Sequence, residues 1–237
     1  MRKAAGIVFL LALFVCFSIG GTLSAQQFDS ENDFEITSLD GGVSAVITGH
    51  TGTGPVVRIP SEIQGMPVTA IGDGAFQNRR LTAVVIPQGV RTIGAQAFFG
   101  NRLSSVDIPV GVTRIGNQAF MNNLIASAVI PNSVIFIGDQ SFSNNRLVSV
   151  TIPNNMVVVG DRAFMNNLID YVTILNSMAT VGSQAFRGNG VTTITIGANV
   201  QIDNTAFGQN FHVFYNNNRQ RAGVYTWHGR DWSFREN

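Results

Sequence analysis

One cysteine, Cys16, stands in 237 residues, and it lies inside the first apolar stretch. The chain beyond it has no thiol, so it can build no disulfide framework, thiolate metal site or thiol nucleophile. Lysine is nearly as scarce. Lys3 is the only one, and past residue 25 the basic side chains are 13 Arg against 14 Asp and Glu. That balance excludes the basic excess needed for nucleic acid, and no basic amphipathic stretch suits a membrane surface. The three histidines, His50, His212 and His228, have no neighbours at metal-ligand spacing. No serine elbow occurs, and the glycines follow a repeat rather than forming a phosphate-cradling loop. The residues therefore point to no enzyme, no metal and no cofactor.

Long apolar runs are also missing, with one exception. Arg2 and Lys3 precede an apolar run from Ala4 to Ile19, and Leu23-Ser24-Ala25 closes it with small residues. This reads as a secretory signal peptide over 1–25, cleaved before Gln26. Lipidation at Cys16 and an uncleaved anchor are the alternatives, though Leu13-Phe14-Val15 lacks the small residue that lipidation prefers. After cleavage no segment would insert in a membrane. An exported chain without disulfides needs a core that stands alone, and ~212 residues suffice, burying about 70% of their unfolded surface.

What the chain does have is a repeat. Phe76, Phe98, Phe120, Phe142, Phe164, Phe186 and Phe207 are spaced by 22 residues five times and then by 21. A fixed period of this size marks a solenoid whose units bury their apolar faces against one another. Aligned on the phenylalanine, Val84, Val106, Ala128, Val150, Val172 and Ile194 form one column, and Ile86, Ile108, Ile130, Ile152, Ile174 and Ile196 another. The two columns are one residue apart, the alternation of a strand, and stacking makes a parallel sheet. Proline at 87, 109, 131 and 153 ends the strand. Pairs such as Val90/Ile93, Val112/Ile115 and Met178/Val181 start a second wall, and Gly at 72, 94, 116, 138, 160 and 182 marks a tight turn back. Each Phe then plugs the interior.

Asn101, Asn123, Asn145, Asn167, Asn189 and Asn210 fall three residues after a phenylalanine. A glycan or metal role is one reading of this column. The better one is structural, because a buried amide satisfies turn backbone in two rungs. Asp73, Asp139 and Asp161 recur at one turn position and read as local backbone acceptors rather than a catalytic pair.

The solenoid of seven units is placed at 59–210, an amino-terminal cap at 26–58 and a carboxy-terminal capping hairpin at 211–237. Glu62 to Pro67 reads as a small loop in the first rung. Tyr225/Trp227 and Trp232/Phe234 alternate about a turn at His228–Asp231, suggesting a hairpin lid on the last rung.

The strand portion Leu103-Ser104-Ser105-Val106-Asp107-Ile108 matches the Leu-x-x-Leu-x-Leu core of leucine-rich repeats. With Ile115-Gly116-Asn117-Gln118-Ala119-Phe120, the unit resembles the bacterial subclass called BspA-like or treponemal, over roughly Pro55 to Asn210. The Gly-Val-Tyr-Thr-Trp tail looks like the ending of exported spirochaete members. The chain departs from the subclass in having Asn where many members have Cys, and in units one residue shorter. The resemblance implies a leucine-rich-repeat-like, mainly β solenoid in a secreted or surface protein (cell surface, outer envelope or periplasm), often an adhesin or host-interaction factor. It supplies no catalytic or ligand residues.

Two surfaces are therefore candidates. The outward strand positions are Ala83/Val85, Ser105/Asp107, Ser127/Val129, Ser149/Thr151, Tyr171/Thr173 and Thr193/Thr195. Only the last pair fits an ice-binding Thr-x-Thr rung. Tyr171, Asp170 and Asp107 are the candidate contacts for a protein or glycan partner, since aromatic residues dominate binding hot spots. On the second wall the outward positions turn apolar at Ile135, Phe136, Val157 and Val158, then reach Ala179/Thr180. Exposed, that quartet would be an interaction patch and a route to self-association as a structural envelope protein; otherwise a lid or loop covers it.

Overall fold

The computed structural model describes residues 28–175, 179–208 and 210–236. The segment read as a signal peptide, with Cys16, lies outside these residues, as does Met178. The chain forms a mainly β solenoid of about seven turns in which each 22-residue unit is one rung.

Two walls line the core. The first contains Val56–Arg58, Ala83–Val85, Ser105–Asp107, Ser127–Val129, Ser149–Ile152, Tyr171–Ile174 and Thr193–Ile196. These strands are parallel and in register, so Val150, Val172 and Ile194 sit opposite one another and all point inward. The wall is hydrogen-bonded in three pieces, two of two strands and one of five. The second wall is one continuous sheet. It runs from an antiparallel hairpin, Phe34–Leu39 and Ser44–His50, through Met66–Ile71 and then two-residue strands to Gln201–Ile202.

Between the walls the seven phenylalanines stack face to face, with centroids 4.7–5.5 Å apart and planes within 17° of parallel. That separation is close to the spacing of neighbouring strands, about 4.8 Å, so stacking and strand pairing demand the same rise per unit. A second ladder runs beside the spine. Asn123 Nδ2 donates to the carbonyls of Phe98 and Phe120, while its Oδ1 accepts from Leu103 N–H. Asn101, Asn145, Asn167 and Asn189 repeat this pattern. Each amide thus ties two rungs, the structural role its column suggests. Asn210 departs from the column: it is exposed, left-handed at φ 55°, and caps the helix Phe211–Asn217.

The turn chemistry agrees with the sequence reading at the glycines and departs from it at the aspartates. The Gly column allows the close approach between rungs that the tight turn needs. A Cβ on Gly116 would come 2.6 Å from Ala95 N and from the Gly94 carbonyl carbon. The left-handed positions are Gln96, Gln118, Gln140, Arg162 and Gln184, and Asn78, Asn122, Asn144 and Asn166, all with φ 54–58°. Gln is uncommon there, and the side-chain bonds Gln96 to Gln118 and Gln118 to Gln140 help offset the strain. The turn aspartates also act between rungs, not locally. Asp73, Asp139 and Asp161 accept from the N–H groups of Ala95, Asp161 and Ser183, each 22 residues on.

The ends show what a period cannot. Glu62 to Pro67 is a small antiparallel hairpin, Glu62–Ile63 against Met66–Ile71, turning at Gln64 and Gly65 with positive φ. At the carboxy end a helix, Phe211–Asn217, precedes the expected hairpin. Phe211 meets Phe207, Tyr225 and Trp232 edge-on and ends the stack. Tyr215 Oη donates to Gly197 O and accepts from Val200 N–H, pinning the helix to the last rung. The hairpin, Gly223–Trp227 and Trp232–Arg235, is not a lid. It continues the first wall, Thr193 pairing with Thr226 and Tyr225 filling the inward position beside Ile194.

At the amino end His50 takes the place of a spine phenylalanine, 5.0 Å from the Phe34 ring and 5.5 Å from Phe76. It is 6% exposed, and neither ring nitrogen has a hydrogen-bond partner among the described residues. Burial, with the Arg79 guanidinium nearby, lowers its pKa against the opposing pull of Asp29 and Asp33.

Two outcomes follow from this packing. Phe142→Ala, between two stacked neighbours, should cost about 3–5 kcal/mol and more than Phe207→Ala, whose outer neighbour is only edge-on. Denaturant melts decide this, and a larger loss at Phe207 would put the stability in the caps. His50 binds its proton more weakly folded than unfolded, so stability is complete above its ordinary pKa of about 6.5 and falls as pH drops below it. Melting temperatures from pH 8 to 5 should therefore decline less steeply in His50→Phe than in wild type. Parallel curves would show that His50 is not the titrating group.

Candidate functional site

The outward face of the first wall is uncovered. Tyr171 is 57% exposed and lies in a row with Ser149 on one side and Thr193 on the other. The hairpin lengthens that row through Thr226 to Ser233. Two rungs back the row holds Ser127, and beside it Val129 stands 70% exposed next to Asp107. The face is thus a hydroxyl-lined sheet with one aromatic projection, Tyr171, and two aliphatic ones, Val129 and the less exposed Val85. Its carboxy-terminal extension was not legible in the sequence, because hairpin register depends on which strand the hairpin joins.

The three candidate residues are not one cluster. Asp170 is next to Tyr171, half-buried, and its Oδ1 accepts a short hydrogen bond from the Thr192 hydroxyl. Its backbone carbonyl also accepts from the N–H groups of Thr192 and Thr193. The carboxylate is therefore partly committed to organising the next rung. Asp107 is exposed but lies three strands from Tyr171, roughly 14 Å at the usual spacing. A single small ligand could not touch both; an extended partner could.

The second-wall quartet is open to solvent, and neither lid nor loop among the described residues covers it. Ile135 and Val157 are 46% and 51% exposed, with Phe136 and Val158 half-buried beside them. Phe136 pairs with Arg114 on one side and Val158 on the other. The Arg114 guanidinium lies 3.8 Å above the Phe136 ring, a cation–π contact that screens part of the patch. In the next rung the sequence reading put Ala179 and Thr180 outward; Thr180 is exposed but Ala179 is fully buried.

At the amino end a shallow cleft of about 410 Å³ is lined by Asp29, Asp33, His50 and the Thr51–Gly54 loop. No group of three or more potential metal ligands occurs among the described residues. Nor is any helix there long and apolar enough to cross a membrane.

Comparison with known proteins agrees with this geometry. A family model described as BspA type leucine rich repeat region matches residues 69–192 in six copies. The solved leucine rich repeat protein of T. pallidum is similar at 28% identity and a TM-score of 0.67, over 74% of this chain and 86% of that one. A leucine rich cell surface protein from Faecalibacterium prausnitzii A2-165 is similar in fold, at 22% identity and a TM-score of 0.55, over 89% of this chain and 61% of that one. Among curated proteins none matches.

Proposed function

Because this chain belongs to the BspA-type leucine-rich-repeat family, we propose that it is a non-enzymatic recognition module at the cell surface. The first wall is its contact face, and the partner is a protein or glycan in an adhesion-type role. One observation carries the reading: an uncovered wall of seven parallel strands and two hairpin strands, hydrogen-bonded in three pieces, with Tyr171 projecting from a row of hydroxyls. At ~4.8 Å per strand the parallel part spans roughly 30 Å, enough for about 800 Å² per partner. Hydroxyls suit hydrogen bonding to sugars or backbone, while Tyr171 supplies the rigid amphipathic anchor such a face otherwise lacks. The F. prausnitzii relative is described as a cell surface protein, which supports the placement.

A second reading has its own observation. The exposed pair Ile135 and Val157 is the kind of contiguous apolar surface that marks association sites, and it supports a self-associating envelope protein.

The first reading is checked with immobilised protein against host and neighbouring-cell surface extracts and a glycan array. Tyr171→Ala should weaken the recovered partner at least about ten-fold while leaving the melting temperature unchanged, since an exposed substitution shifts stability by only ~0.5 kcal/mol. Equal recovery by both proteins would remove Tyr171 and its face from the assignment. For the second reading, sedimentation of wild type should show concentration-dependent association that Ile135→Ser/Val157→Ser abolishes. A wild type that stays monomeric at high concentration would end it.

A further inference from the structure

Charge is distributed around each rung very unevenly. Take the turn that joins the second wall to the first, from two residues before each spine phenylalanine to five after it. The segments at 74–81, 96–103, 118–125, 140–147, 162–169 and 184–191 contain no Asp or Glu; the turn aspartates Asp73, Asp139 and Asp161 stand exposed one residue before three of them, each with Oδ1 on a backbone N–H of the next rung. The segments hold Arg79, Arg80, Arg102, Arg146, Arg162 and Arg187, all exposed, in a chain whose overall formal charge is only +1. Six arginines against those three carboxylates leave the turn with a net positive charge that the near-neutral total conceals.

The guanidinium groups are largely uncommitted. Arg79 Nη2 donates to Gly52 O, and Arg162 Nε donates to Gln184 Oε1. The other four have neither a hydrogen bond nor an ion pair among the described residues, where Arg221–Glu236 is the ion pair formed. Between them runs a rail of carboxamides: Asn144 Nδ2 donates to Asn122 Oδ1 at 2.8 Å, and Asn166 Nδ2 to Asn144 Oδ1 at 2.9 Å. Each of these amides keeps a second N–H for an outside acceptor. The rail has the pitch of the spine, so Arg80 and Arg102 are one rung apart, and Arg102 and Arg146 two.

We propose that this turn ridge binds an extended anionic polysaccharide. Arginine forks suit its carboxylate or sulfate groups, carboxamides suit its hydroxyls, and a surface repeated at constant pitch suits a polymer. Nucleic acid fits less well. The ridge offers no exposed aromatic side chain for base stacking, Phe99 being half-buried. This surface is separate from the first wall and does not depend on Tyr171 being a contact.

The test uses dextran sulfate, polygalacturonate and neutral dextran as probes, at salt from about 50 to 200 mM. Wild type should bind both polyanions at least about ten-fold more tightly than neutral dextran, with affinity falling as salt rises. Arg80→Ser/Arg102→Ser/Arg146→Ser should lose about ten-fold or more and show a shallower salt dependence. The charge-matched control Arg219→Ser/Arg230→Ser/Arg235→Ser, at the carboxy-terminal cap, should retain wild-type affinity. Should the ridge triple variant fail to fold, Arg102→Gln alone should still weaken binding. The proposal is overturned by equal losses in the two triple variants, by no preference over neutral dextran, or by tighter binding of a single-stranded oligonucleotide of matched charge.

Discussion

A rise of about 5 Å per rung is the constraint on which the rest of this molecule depends. Parallel strands hydrogen-bond at nearly that spacing, and the phenylalanine rings stack at it. Once both hold, every residue sits directly above its equivalent 22 positions earlier. Like must then pack on like, and only side chains that tolerate their own copies can fill a column. Phenylalanine does so by offset stacking, the carboxamides by donating to one neighbour and accepting from another, and glycine by leaving room for the next backbone.

The same constraint explains how charge is handled. A column of carboxylates at this pitch would repel itself, so each turn aspartate is given a backbone N–H of the next rung. Arginine columns are instead interrupted, as Arg80 and Arg102 are followed by Leu124, Arg146 and Leu168. What remains is a cationic ridge on one side and hydroxyl-rich or apolar sheet faces on the others. The chemistry of such a solenoid lies in rows and ridges, so its partners are expected to be extended surfaces or polymers.

Caps end the stack by changing ring geometry. Phe34 meets Phe76 at 72°, and Phe211 meets Phe207 at the same angle, so both ends turn from face-on to edge-on packing. His50 is the compromise at the amino end, an aromatic ring that fits the stack but brings two nitrogens with no partner among the described residues. Tyr215 and Tyr225 show the other solution, an aromatic body in the core with a hydroxyl that reaches backbone carbonyls.

Periodicity alone determined the solenoid, the two walls, the spine and the bridging Asn column, because each is a property of one unit repeated and needs only local alternation to be read. It also placed Tyr171 and the Ile135–Val158 quartet on outward positions. Tertiary structure decided everything that is not repeated. That includes the helix at Phe211–Asn217, the escape of Asn210 from its column, the burial of Ala179 and the continuation of the first wall by the hairpin. It also decided that Asp170 bonds Thr192 while Asp107 stands three strands away. The physical reason is the same in each case: a repeat specifies a residue's neighbours above and below, whereas an end, or a contact between columns, depends on partners that the period does not contain.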